Sequence, residues 1–98
     1  MEVVWSAEAE STFDQIIEYL NERWTEKEAR NFILRTYELI DAIAKQPKLF
    51  KRYRDREDVR HGILHKKVTM FYQIADDNAT IRILLFWNNP KNPMNLKI

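Results

Sequence analysis

The spacing of apolar residues changes period once along the chain. That change separates a helical first half from a strand-forming second half. Val3-Val4-Trp5 is a short β-prone run closed by Ser6 and predicts a brief strand. Apolar residues then recur at Ala9, Phe13, Ile16, Ile17, Leu20 and Trp24, the spacing of one helix face, with Asp14, Glu18, Glu22 and Arg23 opposite. Ser6 is a suitable N-cap, and Glu8 and Glu10 complement the positive end of the helix dipole. The first helix is therefore expected over residues 7–24. Thr25-Glu26-Lys27-Glu28 has the form of a capping box and opens a second helix. Its apolar face holds Ala29, Phe32, Ile33, Ile40, Ile43 and Ala44, and Pro47 stops it. With no spare residues between them, the two helices should fold as an antiparallel hairpin.

Residues 47–58 have no clear period and dense charge, and predict a loop anchored by Leu49, Phe50 and Tyr53. From Val59 the pattern turns to strands. Val59–His65, Val68–Ala75 and Thr80–Trp87 are rich in β-branched and aromatic residues, with Asp76-Asp77-Asn78-Ala79 as the turn between the last two. In the final run Ile81, Ile83, Leu85 and Trp87 alternate with Arg82, Leu84 and Phe86, so both faces are largely apolar, as in a central strand. The tail from Asn88, with two prolines, cannot continue it. The expected fold is α+β, in the order β-α-α-β-β-β: an antiparallel sheet covered by an N-terminal helical hairpin, with Val3–Trp5 as an extra strand. Ninety-eight residues give one domain, residues 1–98.

Composition narrows the chemistry. The absence of Cys removes disulfides, thiolate metal sites and cysteine nucleophiles. Gly62 is the only glycine, so no glycine-rich phosphate loop can form. The N-terminus does not read as a signal peptide, and no apolar run approaches the roughly 18 residues of a membrane span. A soluble cytoplasmic protein is expected. The formal net charge of +1 conceals a strong asymmetry. Residues 1–44 carry a net −6 and residues 45–67 a net +6. The basic stretch suits an anionic partner or, equally, a solvated loop.

The order of elements and several local motifs resemble the RelE/ParE superfamily of toxins from bacterial type II toxin–antitoxin modules. The resemblance runs through Trp5-Ser6-Ala7-Glu8-Ala9 at the entry to helix one and Ile43-Ala44-Lys45-Gln46-Pro47 at the end of helix two. It continues in Val68-Thr69-Met70-Phe71-Tyr72-Gln73-Ile74, in Ile81-Arg82-Ile83-Leu84 and in the Asn89-Pro90-Lys91-Asn92-Pro93 tail. It implies a growth-inhibiting toxin of the plasmid-stabilisation type, neutralised by a cognate antitoxin. Its target would be DNA gyrase in ParE-like members, or mRNA on the ribosome in RelE-like endoribonucleases. A non-toxic binding module of the same fold is a further alternative. A homodimer or a toxin–antitoxin hetero-oligomer would fit, with no membrane partner and no cofactor.

The nuclease branch carries cations and a general base on its sheet. Here Arg60 fits the first strand position, whereas Gly62, Thr69 and Asn89 stand where bases are expected, and no Tyr follows Trp87. This favours the ParE-like reading. A nuclease would have to use Arg60, His61, His65 and Arg82, the two histidines sharing a strand face at i and i+4. Target binding is assigned to Arg52, Arg54, Arg56, Arg60, Lys66 and Lys67, and antitoxin binding to Leu34, Tyr37, Leu39 and Trp87. Trp5, Trp24 and Trp87 are expected in packing roles. No metal site is expected, since no carboxylate stands in register with the histidines.

Overall fold

The computed structural model describes residues 1–65, 68–75 and 79–88. The elements are β1 (Glu2–Trp5), α1 (Ala7–Arg23), α2 (Glu26–Lys45), β2 (Lys51–Tyr53), β3 (Arg56–His65), β4 (Val68–Ala75) and β5 (Thr80–Asn88). The strands form one sheet in the order β1-β5-β4-β3-β2. β1 runs parallel to β5, and the other pairs are antiparallel. The fold is α+β, with both helices on one face of the sheet, α1 over β5 and α2 over β3. The turn residues 76–78 and the tail from Asn89 lie outside the described residues.

Both predicted caps form. Ser6 Oγ accepts from the Ala9 amide at 2.9 Å, and Thr25 Oγ1 accepts from the Glu28 amide at 3.1 Å. The core lies between helices and sheet. Ala9, Ile16 and Leu20 of α1 and Ala29, Phe32, Leu39, Ile40 and Ile43 of α2 meet Leu64, Val68, Met70, Tyr72, Ile74, Ile81, Ile83 and Phe86. Two expectations fail on the helices. Trp24 is exposed at the interhelix turn, because α1 ends at Arg23 and its side chain leaves the buried face. Leu39, expected at a partner surface, is 5% exposed and belongs to this core.

The segment read as a loop contains a strand. β2 pairs with β3 through a two-residue connection, Arg54-Asp55, with Tyr53 opposite Arg56, so β3 begins three residues before the expected Val59. Arg54 has φ of 54°, the left-handed region that favours glycine. Between α2 and β2 the chain is tied to the sheet twice. Tyr72 Oη donates to the Pro47 carbonyl at 2.7 Å, and Arg60 Nη1 donates to the Phe50 carbonyl at 2.9 Å. Arg60 and Tyr72 are cross-strand partners, so one register fixes both ties. Burial pushes the Tyr72 hydroxyl pKa up, which keeps it a neutral donor.

Besides the register shift between Arg52 and Tyr53 in β2, two β-bulges among the described residues break the simple alternation. In β5, Ile83 pairs with Tyr72 and Leu85 with Phe71, leaving Leu84 as the extra residue. Ile81, Ile83 and Phe86 therefore enter the core, whereas Leu85 and Trp87 pack on the opposite face with Phe71. The backbone freed at this bulge is bonded by helix one. Ser6 Oγ donates to the Leu84 carbonyl at 2.7 Å, and Thr12 Oγ1 accepts from the Phe86 amide at 2.9 Å. The second bulge lies in β3 between Ile63 and His65.

Replacing Thr12 with Val keeps the shape and removes the acceptor for the Phe86 amide. An orphaned, partly buried N–H costs about 1–3 kcal/mol. Thr12→Val should lose stability in that range in urea denaturation, and Thr12→Ser, which retains the hydroxyl, should lose distinctly less.

Candidate functional site

The β3 bulge decides what the two histidines can do. His61 pairs with Phe71, on the face away from the helices, and stacks on its ring at 5.6 Å and 16°. Tyr53 meets both rings edge-on, at 5.7 and 5.1 Å. Burial, with the Lys51 charge as a smaller contribution, pushes the His61 pKa down, so the ring is neutral at physiological pH. His65 lies beyond the bulge and turns to the helix side. Its Nε2 sits 3.0 Å from Glu28 Oε2, and its ring packs 6.3 Å from Phe32. The expectation that His61 and His65 share a face is therefore wrong: the extra residue changes the parity between them.

Arg60, expected on the target-binding surface, is largely buried. Its side chain is 10% exposed and is held by the Phe50 carbonyl and by Glu57 Oε1 at 3.2 Å. Glu57 also receives Arg52 at 2.9 Å, so one carboxylate joins the cross-strand arginines Arg52 and Arg60. Gly62, where a nuclease would need a base, is required by packing. A Cβ there would lie 2.7 Å from the Phe50 ring.

Arg82 is exposed on the far face and donates to Gln73 Oε1 at 3.2 Å. Gln73 in turn donates to Asp58 Oδ2 at 2.8 Å, and Asp58 accepts a two-pronged bond from Arg56, both contacts at 3.1 Å. The result is a polar chain, Arg56–Asp58–Gln73–Arg82, running across three strands. Hydrogen bonds from Arg56 and Gln73 hold the Asp58 pKa down at about 2. The sequence reading missed Asp58 and Gln73. The signal was present only as an acid and an amide in consecutive β-runs, and it has meaning only once the strand register is known.

Arg52, Arg54 and Arg56 are all exposed on the β2–β3 hairpin, with the Arg54 guanidinium 5.0 Å from the Tyr53 ring centroid. Lys66 and Lys67 lie outside the described residues. Of the apolar positions assigned to a partner, Leu34 and Tyr37 are 63% and 53% exposed on α2. Leu34 lines a groove with Leu64 and His65, and Tyr37 lines a cleft with Trp5 and Phe13. Trp87 is partly buried and borders a third hollow with Tyr19 and Thr12. Among the described residues no group of three or more His, Cys, Asp or Glu side chains could hold a metal ion. Among the described residues no helix is long and apolar enough to cross a membrane.

The model of the ParE toxin of type II toxin–antitoxin systems (parDE) matches residues 3–92. The chain belongs to the ParE toxin family. It is thus a type II toxin–antitoxin toxin, whose partner is an antitoxin. Solved structures share its fold. A chain of the chromosomal ParDE system from P. aeruginosa superposes with a TM-score of 0.71 at 16% identity, covering 90% of this chain and 95% of that one. The YoeB/ParE toxin from Agrobacterium tumefaciens gives 0.65 at 10% identity, over 88% and 95% of the two chains. The YoeB dimer from Staphylococcus aureus gives 0.59 at 14% identity, over 87% and 92%. No curated protein matches the chain significantly.

The depressed Asp58 pKa has a definite sign. A carboxyl whose folded pKa lies below its ordinary value stabilises the fold above that value, and the contribution is lost as pH falls through the folded pKa. The loss should fall between pH 3.8 and about 2. Asp58→Asn should lower Tm at neutral pH and flatten the fall in Tm across that acid window, followed by circular dichroism from pH 6 to 2.

Proposed function

We propose that this toxin arrests growth in the cytoplasm in the ParE manner, by inhibiting DNA gyrase, and that its antitoxin releases the arrest. The observation that carries this reading is that the four groups a nuclease would use divide between the two faces of the sheet. Phosphodiester cleavage needs a base and a cation converging within hydrogen-bond reach of one reacting centre. Arg60 is bound under the β2 edge, His61 lies in an aromatic stack on the far face, His65 lies beneath α2, and Arg82 is engaged by Gln73. The exposed arginines of the β2–β3 hairpin offer instead a protruding cationic surface, suited to docking on an acidic macromolecular target.

In a gyrase assay with relaxed plasmid and ATP, the purified protein should block supercoiling. Induced alone, it should stop growth without new transcript ends. Transcript cleavage with supercoiling intact would establish the endoribonuclease alternative, and neither effect would leave a non-toxic binding module.

The hairpin supplies a sharper test. Arg52→Ala combined with Arg54→Gly should fold with stability near the parent's. Exposed charges matter by about 0.5 kcal/mol, and glycine relieves the left-handed strain at residue 54, worth about 1 kcal/mol. Inhibition should nevertheless fall by at least about tenfold, the loss given by removing about 1.4 kcal/mol of binding.

His61→Gln should keep its growth arrest. Loss of a general base would instead cost about 10²–10⁴-fold in rate.

A further inference from the structure

We propose that the cleft lined by Trp5, Glu10, Phe13, Asp14 and Tyr37 receives an arginine side chain of a protein partner. The cleft lies where the end of β1 meets α1 and α2, and is a shallow hollow, broadly open to solvent, of about 450 Å³. Three aromatic rings line it. Trp5 meets Phe13 edge-on at 5.1 Å and lies 6.3 Å from Tyr37 at 36°. Tyr37 is 53% exposed and Trp5 is half-buried, so solvent and ligands reach this aromatic surface. Aromatic faces of this kind attract cations, Trp most strongly.

The two remaining lining residues are both acids. Glu10 and Asp14 lie one turn apart on α1, both exposed. Like charges at this spacing repel. Neither carboxylate has an ion pair or side-chain hydrogen bond with a described residue, whereas the hairpin acids Glu57 and Asp58 both hold arginines. The helical half of the chain carries a net −6, so the field around the cleft is anionic as well.

These features select the occupant. A nucleic acid or other polyanion is repelled. A metal ion would find two exposed carboxylates beside aromatic rings, and no third acidic or histidine ligand among the described residues. A guanidinium fits both halves of the lining, because its plane stacks on a ring while its fork of N–H donors meets carboxylates; an ammonium offers only a point charge. The source is a polypeptide, and its identification with the antitoxin rests on the toxin reading above.

The probe is N-acetyl-arginine N-methylamide, with the citrulline analogue as its neutral isostere. In two-dimensional NMR titrations of the whole protein, the arginine compound should shift the Trp5 indole and Tyr37 ring signals saturably, in a weak range. The citrulline compound should bind at least about tenfold more weakly. Glu10→Gln with Asp14→Asn should abolish the shifts while circular dichroism stays unchanged. Tyr37→Leu, which leaves both acids in place, should weaken binding part-way. Equal binding of the two compounds, or no saturable shift with the parent protein, would overturn the proposal. None of these readings involves growth or gyrase, so they stand or fall apart from the toxin assignment. With the co-expressed antitoxin, the charge-neutralised variant should show at least about tenfold weaker binding in calorimetry, and unchanged affinity would remove the antitoxin as the source of the arginine.

Discussion

The extra residue at Leu84 is the constraint on which the arrangement depends. β5 is flanked by β4 along its length but by β1 only as far as Ile83. Past that point its outer edge would be left without partners, and unpaired backbone groups away from water are costly. The chain meets this with two hydroxyls. Ser6, which follows β1 and caps α1, takes the Leu84 carbonyl, and Thr12, nearly two turns into the helix, takes the Phe86 amide. Helix one thus completes the sheet edge that strand one leaves unfinished. That docking sets the height and direction of α1, and through the Phe13, Phe32 and Phe86 ring contacts it locates α2 as well.

The two sheet faces are left with different duties. The helix side is continuous aliphatic and aromatic packing, and the polar groups facing it, such as Arg60 and the Tyr72 hydroxyl, hold the connection after α2 against the sheet. The far side is a small aromatic cluster beside a polar chain of arginine, aspartate and glutamine, with the charged hairpin projecting at one edge. Surface and core chemistry are therefore separated by strand parity rather than by distance along the sequence. Arg60 and His61 are neighbours in the chain and play unrelated parts.

The helices, their caps and the three long strands could be read directly, because the period of 3.6, the capping residues and the β-branched runs are local signals. β2 was hidden by composition. Lys51-Arg52-Tyr53 becomes a strand through its pairing with β3, and nothing in its own pattern announces that. The shared-face reading of His61 and His65, and the strict alternation assigned to β5, failed for one reason. A bulge is created by partners distant in sequence, and counting by twos cannot detect it. Leu39 was misplaced through the same limit, since an apolar residue on a helix rim faces core or solvent according to where the sheet lies. The exposure of Leu34 and Tyr37 and the clustering of Arg52, Arg54 and Arg56 followed more directly, because each sits away from the buried stripe or in a dense charge run.

The bulge in β3 also carries a consequence for descent. A bulge absorbs one surplus residue: with Leu64 left over, His65 pairs with Val68 just as the residue after Ile63 would in an unbroken ladder. Loss of that one codon would therefore leave His65 beneath α2, on the side opposite His61. A strand can gain or lose a residue at such a point while the side chains beyond it keep their sides. Length can thus drift within the sheet of this fold without exchanging its buried and displayed residues.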